Sequence, residues 1–399
     1  RRPDITVKTA SGKTSFAYSM QAMSVTTLVL NPAQTPTLTP SPVDALLRIK
    51  GGQVVDGHGK SVFLRGVGFG NSIWNDPFDD PIDHDERDYK RVAGMGMNAI
   101  RFYMNYRTFE DDKSPYVYKE SGFAWLDQEI GWARKHGIYL LLSMHIPQGG
   151  FQSDCEGNDL WNVPENQNRL VALWRAIAKR YANEPVIAGY GLLNEPAPTQ
   201  SITRWETLSE RIVKAIRDVD KQHMLVVEHA LTVDCNWEKR PTDGSNYFLV
   251  KDPNVLYEFH TYEPHIFTYQ WVLGGGEGGR YPDKTIRDTF FYSGEELPRT
   301  KESLERDMKT IVDWGRRNGV PLYIGEFGAS RPSFKNNRGG LQWVEDMLDI
   351  MKANGLHFTY HNYSGESFGI YPEDGVLPDP SHANKPLMEL FKGRQEALK

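Results

Sequence analysis

The sequence predicts an α/β fold, a (β/α)8 TIM barrel preceded by a short N-terminal β segment and a linker. From residue 47 onward, short apolar or β-branched runs alternate with amphipathic helical stretches, the pattern of βαβ units around a parallel sheet. Three predicted helices are followed by glycine just before the next strand, at Gly137, Gly319 and Gly355, as at many helix C-termini. A length of 399 residues also suits one such barrel with insertions.

The strands are assigned from apolar and β-branched runs and the helices from 3.6-residue periodicity. The predicted strands cover residues 62–69, 99–104, 139–145, 187–193, 224–228, 255–260, 322–326 and 357–360, and the main helices cover 125–136, 167–181, 202–219, 304–318 and 341–354. In the last helix the apolar residues at helical spacing indicate core packing; they are Leu341, Val344, Met347, Leu348 and Met351. Residues 229–253 show little helical periodicity, so the fifth unit is expected to be mostly loop.

The N-terminal region differs from the barrel in composition. Residues 1–30 alternate polar and apolar positions, most clearly at 15–20 and 24–30, which predicts two short strands. Residues 31–42 contain four prolines, three threonines and no charge, a composition typical of an extended linker. We therefore expect residues 1–30 to be a terminal β segment or the remnant of an upstream β domain, 31–44 a linker, and 45–399 the barrel.

Charge and hydropathy exclude several kinds of partner. The 46 basic and 52 acidic side chains give a net charge of −6 without long runs of either sign, which argues against nucleic-acid binding. No window holds 18 uninterrupted apolar residues, and the first residues lack the apolar core of a signal peptide, so no membrane partner is expected. Two cysteines, Cys155 and Cys235, are too few for a four-thiolate zinc site.

Polar side chains end the predicted strands at the face where (β/α)8 barrels place their active sites. They are Arg101 near the end of the second strand, His145 at the third, Asn194 and Glu195 at the fourth, His260 and Tyr262 at the sixth, and Glu326 at the seventh. Glu195 and Glu326 should converge from opposite sides of the barrel mouth. A pair of carboxyl groups in this position suits acid/base chemistry on a glycosidic bond.

The neighbouring residues suggest how the two carboxyl groups take different roles. The positive charge of Arg101 can keep Glu326 ionised, whereas a less compensated site can keep Glu195 protonated until it donates. Tyr262 can hydrogen-bond the nucleophile and His260 can tune the acid/base. His145 and Asn194 are expected to bind sugar hydroxyls beside the scissile bond; the sequence does not give the distance between the carboxyl groups.

Four motifs, and their order along the chain, resemble glycoside hydrolase family 5, the cellulase-type members of a large retaining clan. They are Leu193-Asn194-Glu195-Pro196, Ile324-Gly325-Glu326-Phe327-Gly328, Ile100-Arg101-Phe102 and His260-Thr261-Tyr262, and the resemblance extends over residues 47–390. It implies a retaining double displacement in which Glu326 attacks the anomeric carbon and Glu195 acts first as acid and then as base. It also implies that no metal or organic cofactor is required.

The sequence departs from the family pattern at the end of the eighth strand. Family members usually carry a tryptophan there beneath the sugar, whereas this chain offers Tyr360, His361 or Tyr363 as the floor. Flat aromatic rings suit sugar stacking, and five lie in loops after strands: Trp74, Phe151, Trp161, Trp237 and Trp271. Residues 268–298 are predicted to form a long flexible loop beside the site. Cys155 and Cys235 fall in loops on the same face, where they either form a disulfide or remain free.

These features predict a secreted microbial endo-β-glycanase that acts on β-1,4-glucan as a polysaccharide or oligosaccharide, with an upstream domain before this chain as one of the two alternatives for residues 1–30. Mannan, mixed-linkage glucan, and exo-acting or glycolipid-directed specificities are alternatives on the same fold. A non-catalytic carbohydrate-binding barrel is a further alternative, against which the presence of both carboxyl groups argues. A metal-dependent hydrolase using His145, His260 and a glutamate is disfavoured because no His-x-His pair follows the first strand.

Overall fold

The computed structural model describes residues 5–10, 13–18, 43, 45–74, 84–153, 156–365 and 367–394. The chain divides into two compact units, Arg1–Thr39 and Pro40–Lys399. In the first unit the strand Ile5–Ala10 pairs antiparallel with the strand Lys13–Tyr18, so the strand predicted at 15–20 begins earlier and its partner precedes it. The strand predicted at 24–30 and, apart from residue 43, the linker predicted at 31–44 lie outside the described residues.

The second unit is a closed barrel of eight parallel strands, which confirms the predicted fold class. Each strand pairs with the next one along the chain, and the eighth pairs with the first. In chain order the barrel strands are Arg65–Phe69, Ala99–Asn105, Tyr139–Ile146, Ile187–Gly191, Met224–Glu228, Val255–His260, Leu322–Phe327 and His357–Tyr360. All eight coincide with predicted strands, so their C-terminal ends bring the strand-end residues to one face.

Helices lie between the barrel strands along the chain and after the last of them. They are Glu86–Gly94, Glu120–His136, Asn158–Asn162, Pro164–Tyr181, Thr203–Arg217, His265–Thr268, Lys301–Asp307, Lys309–Asn318, Gly340–Asn354 and Lys385–Gly393. Gly137, Gly319 and Gly355 end their helices in the left-handed conformation, as predicted. The helix predicted at 304–318 is two helices that meet at Met308. Residues 229–253 contain one short 3-10 turn, Trp237–Lys239, in agreement with a mostly looped fifth unit.

The segment predicted as a flexible loop at 268–298 contains an ordered β-hairpin. Its strands are Asp283–Thr289 and Glu296–Arg299, paired antiparallel. The buried guanidinium of Arg299 donates from Nε to Asp288 at 2.6 Å and so joins the two strands through their side chains. The hairpin precedes the helix Lys301–Asp307.

Cys235 is part of a disulfide bond, and Cys155 lies outside the described residues. Within the described ranges, none of the helices combines the length and apolar character needed to cross a bilayer.

The helix Gly340–Asn354 buries its predicted apolar face against the barrel, with one exception. Val344, Met347, Leu348 and Met351 are at most 1% exposed, whereas Leu341 is 36% exposed. Leu341 lies in the first turn, at the edge of the interface, so the expectation that it packs in the core is wrong. The two leucines of this helix therefore form a matched pair with different burial.

Replacing Leu348 by alanine should lower the free energy of unfolding by about 3 kcal/mol, because it removes buried methyl groups and leaves a cavity. The control, Leu341→Ala on the same helix, should cost less than about 1 kcal/mol. Urea unfolding followed by circular dichroism measures both. Equal losses for the two variants would contradict this packing of the helix.

Candidate active site

The side chain of Arg101, on the second barrel strand, lies at the centre of a buried polar cluster and is 1% exposed. Its Nη1 donates to Glu326 Oε1 at 2.6 Å, and its Nη2 donates to Asn194 Oδ1 at 2.8 Å. Its Nε lies 2.7 Å from Glu258 Oε1. The guanidinium thus uses each of its nitrogens on a residue from a different part of the barrel, in the forked geometry that suits arginine.

Glu326, on the seventh strand, is held by donors on both carboxylate oxygens. Arg101 binds Oε1, and the hydroxyl of Tyr262 donates to Oε2 at 2.5 Å. His145 Nε2 lies 3.5 Å from Oε1, and His361 Nδ1 lies 3.5 Å from Oε2. These contacts leave the carboxylate little rotational freedom, as a group that must attack one atom requires.

The charges around Glu326 favour its ionised form. Burial by itself would raise the pKa of Glu326, but the surrounding cations outweigh it and hold the pKa of this carboxyl well below its usual range. Burial lowers the pKa of both His145 and His361, so these rings are neutral near pH 7. The cations that act on Glu326 are therefore His260 and Arg101.

Glu195 follows the fourth strand and has a left-handed backbone with φ of 43°, a conformation that non-glycine residues seldom adopt. Its backbone N–H donates to Glu228 Oε2 at 2.8 Å. Its Oε1 lies 2.9 Å from His260 Nδ1, which is also 3.9 Å from Glu326 Oε2. Because both atoms lie close to this nitrogen, Glu195 Oε1 and Glu326 Oε2 are within about 7 Å of one another, a separation at which two carboxyl groups can act on one glycosidic bond.

His260, on the sixth strand, is surrounded by carboxyl groups. Its Nε2 lies 3.2 Å from Glu258 Oε1, and its Nδ1 lies 3.5 Å from Glu228 Oε1 in addition to its contact with Glu195. Burial would lower the pKa of His260, but these carboxylates and Glu326 raise it well above its ordinary value. We therefore treat His260 as a cation at neutral pH.

Glu228 and Glu258 were not among the residues predicted from the sequence. Both are buried, 1% and 2% exposed. Glu228 is the last residue of the fifth strand, so the strand-end argument already applied to it. Glu258 lies two residues before His260 in the same strand, and alternate residues of a strand share a face; that spacing was the available signal.

Glu195 lies between two cavities on the open face of the barrel. The first has a volume of about 490 Å³ and the second about 460 Å³. Both are bordered by Ser153, Glu195, Tyr262 and Tyr269, whereas Glu326 borders only the second cavity. The cleft therefore continues on both sides of Glu195 and has Glu326 on one side.

The structure places three of the five loop aromatics in this cleft. Trp74, 46% exposed, and Phe151 line the second cavity, and Trp237 lines the first. Trp161 is buried, and its Nε1 donates to Gln152 at 2.6 Å. Trp271, predicted as a substrate-binding residue, lines neither cavity.

The expectation for Trp271 is therefore corrected. Its indole ring lies under the guanidinium of Arg338, 4.3 Å from the ring centroid. The loop that carries it leads into the hairpin 283–299. Sequence spacing alone gave no information about the course of this loop.

Of the three candidates for the floor at the end of the eighth strand, His361 lines the second cavity together with Glu326. Tyr360 is buried and donates to Ala329 O at 3.3 Å. Tyr363, predicted as a supporting residue, is fully buried, and its hydroxyl donates to Asp88 Oδ1 at 2.7 Å. The structure therefore corrects the expectation for Tyr363, because its ring packs behind the strand and does not reach the cleft.

His145 lines a cavity of the cleft, whereas Asn194 lines neither cavity. His145 lines the second cavity, where a sugar hydroxyl can reach it. Asn194 is buried, with Oδ1 bound to Arg101 and Nδ2 donating to Ser153 at 3.2 Å. The amide nitrogen carries a second hydrogen that neither contact uses, so the binding of a sugar hydroxyl by Asn194 stays a prediction.

Among the described residues, one trio offers ligand atoms close enough for a metal ion. These are atoms of Glu195, Glu228 and His260, all within 4.8 Å of one another. We do not assign them as ligands, because Glu195 Oε1 and His260 Nδ1 are hydrogen-bonded to each other at 2.9 Å. The guanidinium of Arg101, 3.9 Å from Glu228 Oε2, adds a repelling charge.

The sequence model of "Cellulase (glycosyl hydrolase family 5)" matches residues 55–367, most of the chain. The chain belongs to glycosyl hydrolase family 5. The match spans all eight barrel strands and the cluster around Arg101, so the family 5 assignment applies to the unit that carries the cleft. It identifies the protein as a glycoside hydrolase.

Several glycoside hydrolases are similar to this chain in sequence or structure. Endoglucanase C of Acetivibrio thermocellus is 29% identical over 306 residues, covering 72% of this chain and 86% of that protein. A beta-xylosidase of Phanerodontia chrysosporium is 29% identical over 368 residues, covering 81% of this chain and 72% of that protein. The crystal structure of endoglucanase Cel5A from Thermotoga maritima matches with a TM-score of 0.64 and 24% identity, covering 82% of this chain and 96% of that one. That structural match shows the shared barrel fold.

Replacing Arg101 by leucine should destabilise the protein by about 3–5 kcal/mol at pH 7, because it leaves buried carboxylates without their cation. The penalty should shrink toward pH 4. In the variant the stranded carboxyl groups have raised pKa values in the folded state, so they take up protons as the pH falls and the folded state gains relative stability.

Denaturant unfolding at both pH values measures this effect. The control is Arg306→Leu, which removes an exposed pair with Glu295 and should cost less than about 1 kcal/mol. A penalty for Arg101→Leu that is small, or independent of pH, would contradict its role as the buried counter-charge.

Proposed function

We propose that this protein is a retaining endo-β-glycanase that hydrolyses β-1,4-linked glucan by double displacement. Glu326 is the nucleophile and Glu195 is the acid/base. One observation carries the proposal: Glu195 borders both cavities of the cleft, and Glu326 borders only one. A glycan that spans the cleft would place the reacting sugar over Glu326 and the glycosidic oxygen beside Glu195.

In the first step, Glu326 attacks the anomeric carbon of the sugar in the second cavity. Glu195 gives its proton to the glycosidic oxygen, and the leaving sugar departs through the first cavity. In the second step, Glu195 removes a proton from water, which attacks the anomeric carbon and releases Glu326. Two inversions at the same carbon leave its configuration unchanged.

The surroundings of Glu326 support its assignment as nucleophile. Arg101 and Tyr262 hold its oxygens, and its lowered pKa keeps it ionised. Retaining enzymes place the two carboxyl groups about 5–5.5 Å apart, and inverting enzymes separate them by about 6.5–9.5 Å to admit water. Their contacts with His260 Nδ1 limit the distance between Glu195 Oε1 and Glu326 Oε2 to about 7 Å, which is compatible with the shorter class, and the motifs shared with a retaining clan support that class.

Space on both sides of Glu195 and the similarity to endoglucanases support a glucan chain as substrate. Structures of Thermotoga maritima Cel5A with cellobiose and with mannotriose also match this fold. The same double displacement applies to a mannan. The second candidate is an exo-acting glycosidase of short substrates. It is favoured by the similarity to a beta-xylosidase and by His361 in place of the tryptophan expected at the eighth strand.

We further propose that the protein is secreted and that residues 31–44 link the barrel to a separate N-terminal β segment. The disulfide at Cys235 supports an oxidising compartment. The division of the chain near residue 39 supports two units.

The test compares wild type with Glu326→Ala and Glu195→Ala on carboxymethyl cellulose, mixed-linkage glucan, mannan, and aryl glucosides and xylosides, with products resolved by size. Wild type should release oligosaccharides from a β-glucan. Glu326→Ala should lose at least about 10³-fold in kcat/KM on every substrate, since it removes the attacking atom. Glu195→Ala should lose far less in kcat/KM on aryl glycosides, whose leaving groups need no proton.

Activity retained by Glu326→Ala would contradict the assigned mechanism. Cleavage of short glycosides without any polymer product would keep the two glutamates in their roles and replace the endo-glucanase assignment with the exo-acting candidate.

A further inference from the structure

We propose that Glu228 is a positioning residue for Glu195 and that, with His260, it fixes both the backbone and the charge environment of the acid/base. This inference rests on the proposed function of Glu195. Glu228 does not line either cavity, so it acts through its neighbours and not by touching the substrate.

The three side chains form a closed ring of contacts. The N–H of Glu195 donates to Glu228 Oε2 at 2.8 Å, and Glu228 Oε1 lies 3.5 Å from His260 Nδ1. The same Nδ1 lies 2.9 Å from Glu195 Oε1. Glu228 therefore contacts both the main chain of Glu195 and the imidazole ring of His260, which touches the carboxyl group of Glu195.

The backbone contact matters because Glu195 has a left-handed conformation, with φ of 43°. A non-glycine residue keeps this conformation only where the surrounding structure holds it. The carboxylate of Glu228 accepts the N–H of this residue. Glu228 is itself anchored, because its main-chain oxygen accepts from the buried Trp205 Nε1 at 2.8 Å.

The charge contact matters because Glu195 faces His260. Burial raises the pKa of Glu228 well above its ordinary value; Glu258 and Glu195 add to this rise, and His260 and Arg101 oppose it. Its Oε1 is buried without a hydrogen-bond partner among the described residues and is close to His260 Nδ1. Whether the proton of this contact lies on His260 or on Glu228, the pair carries no net charge, so Glu195 does not face an uncompensated cation.

Two substitutions separate these effects. Glu228→Gln keeps an oxygen that can accept the N–H of Glu195 but removes the titratable group that shares a proton with His260, whereas Glu228→Ala removes both. The matched control is Asp220→Asn, which removes a buried carboxylate that also contacts a histidine, His223. Asp220 lies before the fifth strand, at the end opposite Glu228.

The pH dependence of kcat/KM is measured for each variant on a short glucan oligosaccharide and on an activated aryl glycoside. Without the carboxyl group of Glu228, a protonated His260 gives the pair a net positive charge, which lowers the pKa of neighbouring acids, so Glu228→Gln should move the basic limb of the oligosaccharide profile to lower pH. Glu228→Ala should lose about 100-fold on the oligosaccharide and less than about tenfold on the aryl glycoside, because only the former needs a proton. Asp220→Asn should leave the profile unchanged.

An unshifted basic limb in Glu228→Gln, or equal losses on both substrates in Glu228→Ala, would overturn the proposal. A purely structural role would lower stability in these variants without moving the profile. Circular dichroism and thermal unfolding show whether each variant is folded, and Glu228→Gln provides the test if Glu228→Ala is not.

A second readout needs no turnover. NMR follows the chemical shifts of the histidine ring nitrogens against pH in folded wild type and in folded Glu228→Gln. The variant His260→Gln assigns the signal of His260. The pKa of His260 should fall in Glu228→Gln, and an unchanged value would overturn the inference. If wild type cleaves none of the substrates, the proposed function fails while this titration still decides the role of Glu228.

Discussion

The arrangement at the mouth of the barrel depends on one buried cation, the guanidinium of Arg101. Carboxyl groups of Glu258 and Glu326 bind it directly, and that of Glu228 lies close by. Taking several carboxylates out of water is costly unless a cation accompanies them. Because its partners come from different strands, the same contacts that balance charge also set the relative positions of the strand ends.

This arrangement gives two chemically identical side chains different properties. Glu326 is enclosed by donors and cations, which favour the carboxylate. Glu195 lies at the border of two cavities and contacts a histidine whose charge is offset by other carboxyl groups. Environment rather than residue type thus separates the roles of nucleophile and proton donor.

The barrel and the ends of its strands could be predicted from the sequence because both depend on local patterns. Apolar runs and glycine C-caps marked the elements, and the strand-end argument identified Arg101, Glu195 and Glu326. The same argument applied to Glu228 but was not extended to the fifth strand. Glu258 was missed because it lies inside a strand, where a polar residue gives no motif.

The remaining differences depend on tertiary packing. Whether His361 or Tyr363 faces the cleft is decided by the path of the chain after the eighth strand, and Tyr363 is turned inward by its hydrogen bond to Asp88. Trp271 precedes a hairpin whose two strands are joined by the pair between Arg299 and Asp288. Neither path can be read from spacing along the chain.

The most direct test of the central claim is to trap the intermediate that a double displacement requires. A 2-deoxy-2-fluoro glycoside with a good leaving group slows the second step, so the sugar accumulates on the nucleophile. Mass spectrometry of the intact protein and of its proteolytic peptides should show one sugar per chain, attached to Glu326. Attachment to Glu195, or steady turnover of a matched substrate without any adduct, would contradict the account.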